Sequence, residues 1–428
     1  MKVGFVSLGC SKNLVDTEMM IGLFKKNKYE IVNNPEEAEI IVINTCGFIE
    51  PAKEEAINTI LEMAKYKEEN CKYLIVTGCL VERYKEELIK ALPEVDLFVK
   101  FSEYDTIWNQ IDKVINSKEK QGNLDFLNRV ISTGKNYAYL RIAEGCNNFC
   151  TFCAIPYIRG RFTSRKIEDV LDEAKMLAKQ GYKELIVIAQ DTTKYGVDIY
   201  GKPRLAELLH EISKIEGIEW IRFLYAYPET ITDELIEEVK NNDKICKYFD
   251  IPMQHISDNM LKKMNRKSTG ESIKNLITKL RGEIPNVIIR STLMVGFPGE
   301  TEEDFNEMYE FVKWAKLDKL GCFTYSKEEG TVAYKMENQV HPMTKKKRYN
   351  KIMKLQQTIS EENMEKHLGK TLKVLVEENG IGRSYMDVPD IDGVIYLKGN
   401  AKINSFVNCK IIGKKEYDLI GEVTEWKY

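Results

Sequence analysis

The chain lacks the features of a membrane, secreted or purely electrostatic protein. The longest stretch without a charged residue is Gly145–Ile158, and it contains Asn, Cys and Pro. That is too short and too polar to span a bilayer, so no membrane partner is expected. The start, Met1-Lys2-Val3-Gly4, has none of the apolar run of a signal peptide, and a cytoplasmic location is the expectation. Positive charge is not in excess: 63 Lys and Arg stand against 66 Asp and Glu, a net charge of -3. This excludes a chain that lives by gripping phosphates non-specifically. The 10 cysteines in 428 residues are too few for a disulfide scaffold. No internal repeat or low-complexity tract is present.

What is there is an ordinary globular composition, 43% hydrophobic and 30% charged. At roughly 150 residues per domain the length predicts about three domains. Val3–Leu8, Ile40–Ile43, Tyr73–Val76 and Leu97–Val99 are short apolar runs of the kind buried on both faces of a parallel sheet. Helical stretches such as Leu14–Lys25 and Ala52–Tyr66 lie between them, so the first part reads as an α/β domain over 1–116. Polar residues 116–136 read as a linker. A second alternation, with strands near Tyr137–Ile142, Leu185–Ala189, Trp220–Leu224, Tyr248–Ile251, Val287–Val295 and Lys319–Phe323, predicts a barrel-like or partly open α/β domain over 132–362. Thr301 and Asp304 have capping-box spacing and predict a helix start. Residues 344–368 read as one long charged helix, and the short strands beyond Gly369 predict a small antiparallel β-barrel over 365–428.

In a reducing compartment, clustered cysteines more often bind metal or do chemistry. Cys146-x3-Cys150-x2-Cys153 follows a strand, in a turn with Gly145, Asn147 and Asn148. Three thiolates so close suit three irons of a 4Fe–4S cube and leave the fourth iron open. A zinc site with a borrowed ligand, or three core cysteines, are the alternatives. Cys10, Cys46 and Cys79 each lie just past a predicted strand. The carboxyl ends of parallel strands share one edge, so these three converge on a second site or simply pack well there. Cys71, Cys246, Cys322 and Cys409 have no partner spacing and read as ordinary residues, and His210, His341 and His367 read as surface.

The run Glu144-Gly145-Cys146-Asn147-Asn148-Phe149-Cys150-Thr151-Phe152-Cys153-Ala154-Ile155-Pro156 resembles the signature of radical S-adenosylmethionine enzymes. Arg159-Gly160 and Ser164-Arg165 resemble the continuation found in the methylthiotransferase branch. Asn44-Thr45-Cys46-Gly47-Phe48-Ile49 and Thr77-Gly78-Cys79 are similar to that branch's other cysteine motifs. Ser7-Leu8-Gly9-Cys10-Ser11-Lys12-Asn13-Leu14-Val15-Asp16-Thr17-Glu18 resembles the opening of its ribosomal-protein-modifying members, whereas tRNA-modifying members carry Gln-Met-Asn after that cysteine. Ala189-Gln190-Asp191-Thr192-Thr193, Pro252-Met253-Gln254-His255 and Val295-Gly296-Phe297-Pro298-Gly299-Glu300-Thr301 resemble segments of the radical domain. Gly382-Arg383-Ser384-Tyr385 with Pro389-Asp390-Ile391-Asp392-Gly393 resembles a C-terminal TRAM barrel.

The resemblance implies a radical-SAM core, S-adenosylmethionine as cofactor, and two 4Fe–4S clusters. Cys146, Cys150 and Cys153 would hold the first and Cys10, Cys46 and Cys79 the auxiliary one. The chemistry is then borne by cofactors and no side chain is assigned as acid or base. Gln190, Gln254 and Arg290 are the candidates to line the S-adenosylmethionine or substrate site, with His255 beside them and packing as the alternative for each. The implied partners are ribosomal protein number twelve of the small subunit, an electron donor such as flavodoxin or ferredoxin, and ribosomal RNA through the TRAM domain. The implied product is 3-methylthioaspartate, with a modified tRNA adenosine as the alternative acceptor. A non-catalytic metal protein that binds ribosomes is the reading from another class. From Lys366 to Tyr428 there are ten Lys plus Arg and nine Asp plus Glu, little for a dedicated RNA grip. Asp387, Asp390 and Asp392 read as an acidic patch suited to a basic protein. Lys345–Arg348 reads as a solvated face or a contact to ribosomal RNA.

Overall fold

The computed structural model describes residues 1–116 and 122–426, so residues 117–121 of the expected linker and the last two residues lie outside the described residues. Near the amino terminus the apolar runs become β1 (Lys2–Ser7), β2 (Glu30–Val32), β3 (Ile40–Thr45), β4 (Tyr73–Gly78) and β5 (Leu97–Val99), in the order β2-β1-β3-β4-β5. β3 is buried throughout, as a central strand covered on both faces must be. The covering helices are α1 (Ser11–Lys26), α2 (Glu50–Ala64), α3 (Cys79–Ala91) and α4 (Ile107–Ile115). β2 is absent from the runs read in the sequence, because three residues at a sheet edge, none buried, leave no periodic signal. Every pairing is parallel, so β1, β3 and β4 end on one edge.

β6 (Tyr137–Arg141) opens the second body. It leads to β7 (Ala143–Glu144), the single turn α5 (Ile155–Ile158) and β8 (Thr163–Ser164), and the β7–β8 pair closes the base of the loop that carries Cys146, Cys150 and Cys153. There follow α6 (Ile167–Lys179), β9 (Glu184–Ile188), α7 (Val197–Tyr200), α8 (Leu205–Ser213), β10 (Trp220–Phe223) and α9 (Asp233–Asn241). Next are β11 (Tyr248–Gln254), α10 (Asp258–Lys263), α11 (Gly270–Glu283), β12 (Ile288–Val295), α12 (Glu302–Ala315), β13 (Lys319–Thr324) and α13 (Pro342–Glu365). Thr301 caps α12 with reciprocal bonds to Asp304, as its spacing predicts. The strands form two parallel groups, β10-β9-β6 and β11-β12-β13, touching where Ala226 N–H donates to Asp250 O at 2.8 Å. No ladder joins β13 to β6 among the described residues, so the barrel is partial.

Alternate strand residues face opposite ways. Leu140, Val187, Phe223 and Ile251 pack on the helices, whereas Tyr139, Ile186, Leu224 and Tyr248 pack with Val374, Met386 and Val388 of the third body. That body is a closed barrel of β14 (Thr371–Glu378), β15 (Ile381–Ser384), β16 (Ile395–Lys398), β17 (Phe406–Lys414) and β18 (Leu419–Trp426). Its pairings are antiparallel except β16 with β18, which is parallel.

The loop between β15 and β16 overturns the acidic-patch reading. Asp387 pairs with Lys319 of β13 at 2.6 Å, and the Asp392 side chain, 5% exposed, accepts from Tyr248 Oη at 2.7 Å. Asp390 stays exposed yet accepts from Tyr137 Oη at 2.7 Å. These carboxylates serve the inner face of the α/β barrel, which carries the matching donors. Beside them Arg383 and Arg222 meet Glu184 at 2.5 and 2.9 Å, all three side chains buried. Burial opposes the charge of Glu184, but the Arg383 and Arg222 guanidiniums hold its carboxyl below the ordinary value.

The expected linker is also more than a spacer. Arg129 within it is buried and pairs with Glu18 of α1 at 2.7 Å and Glu173 of α6 at 2.9 Å, strapping the first body to the second. No helix among the described residues is long and apolar enough to cross a membrane.

Removing one partner of a buried ion pair leaves the other charge uncompensated, at about 3–5 kcal/mol. Glu184→Gln, which takes from Arg222 its carboxylate and leaves Arg383 with Glu377, is expected to destabilise the chain by an amount in that range. Chemical denaturation followed by fluorescence measures it, and an unchanged midpoint would contradict a stabilising role for this network.

Candidate functional site

Cys10 is the N-cap residue of α1, Cys46 follows β3, and Cys79 is the first residue of α3. The shared strand edge brings them together, as the sequence pattern anticipates. Gly9, at φ 87°, lies so close that a Cβ on it would stand 2.9 Å from Cys46 Sγ. Asn13 staples the three exits. Its Nδ2 donates to Leu8 O and Thr45 O, each at 3.0 Å, and its Oδ1 faces Cys79 Sγ at 3.5 Å. Arg83 Nη1 donates to Gly47 O at 2.7 Å and holds the Cys46 loop.

The second set is built on the β6 exit. Cys146 N–H donates to Gly160 O at 3.1 Å and Cys153 N–H to Cys150 O at 2.9 Å, winding the loop tightly. Gly145, at φ 76°, has no room for a side chain, since a Cβ would meet Arg161 O at 2.2 Å. The segment after α10 straps the loop: Thr151 N–H donates to Met264 O at 3.1 Å and Asn265 Nδ2 to Phe149 O at 3.0 Å. Buried Arg266 places Nη1 3.8 Å from Cys150 Sγ, with its guanidinium 4.3 Å over the Tyr227 ring.

The two sets meet. Cys79, Ala154 and Ile158 form one buried apolar cluster across the boundary between the first two bodies. Beside it Arg141 pairs with Asp16 at 2.5 Å and Glu144 at 2.9 Å, and Arg159 pairs with the same carboxylates at 2.7 and 3.3 Å. Arg159 and Arg266 were given no role in the sequence analysis. The Arg-Gly pair after the third cysteine is the signal that could have found the first, while Arg266 carries none.

Burial pushes the Cys79 thiol up to about 12 and the Cys146 thiol up to about 11, and it raises Cys46 and Cys153 as well. Near neutral pH these sulfurs are thiols unless a metal takes the proton's place. Among the described residues no group of three His, Cys, Asp or Glu side chains is arranged to hold a single metal ion. A 4Fe–4S cube carries its thiolates on separate irons, so its ligands need not close on one point. Soft thiolates with a buried guanidinium beside each set suit an iron–sulfur cluster.

Of the other candidates, Gln190 lies just past the carboxyl end of β9, where its Nε2 donates to Glu144 and its buried Oε1 has no partner among the described residues. Gln254 ends β11 at φ 71°, a left-handed conformation that costs energy in a non-glycine residue. Arg290 does not join them. It sits near the amino end of β12, where Asp250 of β11 at 2.7 Å is its main counter-charge and Asp392 of the third body faces it at 3.7 Å. His255 is buried with both ring nitrogens engaged, by Glu300 at 3.2 Å and by Ser257 N–H at 3.0 Å. The Lys345–Arg348 run is partly internal, with Arg348 buried on Glu300 and Lys345 Nζ donating to Tyr325 O at 2.8 Å. Cys71, Cys246, Cys322 and Cys409 are all buried.

Family models match three segments of the chain: Uncharacterized protein family UPF0004 at 2–100, the Radical SAM superfamily at 140–312 and the TRAM domain at 368–424. The chain is 63% identical to the ribosomal protein uS12 methylthiotransferase RimO of Alkaliphilus oremlandii, over 100% of each chain. It is 52% identical to the protein of that name from Acetivibrio thermocellus, over 99% of this chain and 98% of the relative. Among solved structures it resembles the radical S-adenosylmethionine methyltransferase TsrM of Kitasatospora setae, at 14% identity and a TM-score of 0.57, covering 75% of this chain and 72% of that one. It also resembles the cobalamin-dependent S-adenosylmethionine radical enzyme OxsB, at 13% identity and a TM-score of 0.52, over 84% and 56%. Both likenesses are of fold alone.

Thiol reactivity follows the thiolate fraction and access. In metal-free protein at pH about 8, Cys79, held near 12, is expected to alkylate far more slowly than exposed Cys10. Its rate should rise with pH until the thiol titrates. Peptide mass spectrometry after timed iodoacetamide treatment measures both, and equal rates would mean that the Cys79 pocket is open to solvent.

Proposed function

The chain belongs to the ribosomal protein uS12 methylthiotransferase RimO family, and from that membership we propose that its two cysteine sets carry two clusters serving one reaction at the barrel mouth. It is a radical S-adenosylmethionine methylthiotransferase that acts on ribosomal protein uS12, with a 4Fe–4S cluster and S-adenosylmethionine as cofactors. In this reading Cys146, Cys150 and Cys153 hold the cluster that binds S-adenosylmethionine, and Cys10, Cys46 and Cys79 hold an auxiliary 4Fe–4S cluster. The acceptor is the β-carbon of a uS12 aspartate, and the product is 3-methylthioaspartate. The observation that carries the two-cluster reading is the contact of the Cys10, Cys46 and Cys79 set with the loop that carries the other set, where Cys79 packs on Ala154 and Ile158.

When bound, the clusters and S-adenosylmethionine supply hydrogen abstraction from an unactivated carbon together with the sulfur and methyl groups that replace the hydrogen, chemistry that no acid or base side chain performs near neutral pH. The chain supplies position and exclusion. Asn13 and Arg83 fix the auxiliary loops, and Arg266 backs the first set. Gln190 offers a free buried acceptor at the same edge, suited to the ammonium or a hydroxyl of S-adenosylmethionine, and Gln254 offers its backbone turn. Ala154 and Ile158 give Cys79 an apolar cover against water. The reductant is a one-electron donor of the flavodoxin or ferredoxin class, and the setting is cytoplasmic. Ribosomal RNA contact through the TRAM barrel fits an acceptor presented on or near the ribosome.

The test is an anaerobic assay with reconstituted protein, S-adenosylmethionine, sulfide and reductant, offering uS12 and unmodified tRNA together. A methylthio gain on a uS12 aspartate with unchanged tRNA is expected, and a gain on tRNA alone would overturn the acceptor assignment. Replacing Cys10, Cys46 and Cys79 with Ala is expected to abolish the methylthio gain while 5′-deoxyadenosine still forms. Replacing Cys146, Cys150 and Cys153 with Ala should abolish both. Methylthio transfer that survives loss of Cys10, Cys46 and Cys79 would remove the auxiliary cluster from the reaction.

A further inference from the structure

Arg159 stands in the loop that carries Cys146, Cys150 and Cys153, yet its guanidinium lies among the residues of the other set. It is 4% exposed, and the Phe101 ring covers it at 4.3 Å. The two ends of its fork do different things. Nη1 meets Asp16 Oδ2 at 2.7 Å and Glu144 Oε2 at 3.3 Å. Nη2 donates to Asn13 Oδ1 and points at Cys79 Sγ, 3.6 Å away. The first end is a docking ion pair, which Arg141 duplicates on the same two carboxylates. The second end has no such duplicate among the described residues, and docking alone does not call for it.

The geometry points to Arg159 as the residue that sets the reduction potential of the auxiliary cluster, by an N–H···S hydrogen bond donated to Cys79 across the boundary between two domains. This rests on the reading that Cys10, Cys46 and Cys79 hold that cluster. Hydrogen bonds to the ligand sulfurs and nearby positive charge favour the reduced, more negative cluster and so raise its potential. A planar fork meets a carboxylate with one nitrogen and a sulfur with the other, which a single ammonium cannot do. The donor is delivered by the loop of the first set, so the potential of one centre depends on the seating of the other.

The test is a redox titration of each centre followed by electron paramagnetic resonance. Full-length protein lacking Cys146, Cys150 and Cys153 reports the auxiliary centre alone, and protein lacking Cys10, Cys46 and Cys79 reports the other. Adding Arg159→Gln is expected to move the auxiliary midpoint to more negative potential and to leave the other midpoint in place. Arg159→Lys, which keeps the charge and the Asp16 pair, is expected to move it in the same direction and guards against a Gln variant that fails to fold. An unmoved auxiliary midpoint in both variants, or full restoration by Lys, would overturn the hydrogen-bond role. Equal shifts at both centres would reduce the effect to a disturbed mouth and overturn it as well. If protein lacking Cys146, Cys150 and Cys153 holds no cluster while wild type holds one, the two-cluster reading itself falls, separately from the role of Arg159.

Discussion

One carboxylate, Asp16, organises the contact on which the rest of this molecule depends. Its side chain is fully buried in α1, and it is shared by Arg141 at the end of β6 and Arg159 beyond the cysteine loop. A buried charge is tolerable only when it is paired and hydrogen-bonded, and losing one partner costs far more than an exposed pair contributes. The first domain therefore has little freedom to slide on the barrel: displacing α1 would strand Asp16 on one side and leave two guanidiniums to share Glu144 on the other. Cys10 caps α1, and Arg159 follows Cys153 closely in the chain, so the same network that docks the domains also seats the loop of one group of thiols against the other group.

A similar constraint operates at the other end of the barrel. The inner face there carries the pairs Glu184–Arg222 and Asp250–Arg290 together with Lys319, a lining with one cation in excess. The C-terminal barrel answers with Arg383, Asp387 and Asp392, and the tyrosines of β6 and β11 complete the pairing. The third domain is in this respect a stopper. Asp387 and Asp392 of its acidic loop are committed inward, so of the three carboxylates only Asp390 faces solvent.

Much of this was legible from the chain as a string. The central parallel strands showed as apolar runs because burial on both faces removes any alternation, and the α12 start showed because Thr301 and Asp304 satisfy each other locally. The six cysteines could be grouped by two local facts, close spacing in one set and position just past a strand in the other. Misreadings came where a partner lies far away in sequence. Arg290 sits in a strand that reaches the mouth, but nothing near it says that Asp250 and Asp392 hold it at the amino end. Asp387 and Asp392 look like a surface patch because their cations, Lys319 and Arg290, belong to another domain. Residues near 129 look like a spacer because Glu18 and Glu173, which bury Arg129, come from two different helices.

Element type, element order and the identity of the thiol sets are properties of short windows: periodicity, capping and spacing act over a few residues and survive in any arrangement of the domains. Which guanidinium meets which carboxylate or sulfur is not such a property. Arg159 could serve Asp16, Glu144 or solvent equally well in the extended chain. Only the docking of α1 on the mouth removes water from around it and leaves Cys79 Sγ within its reach. Desolvation turns an ordinary arginine into a selective one, and desolvation belongs to the packed molecule.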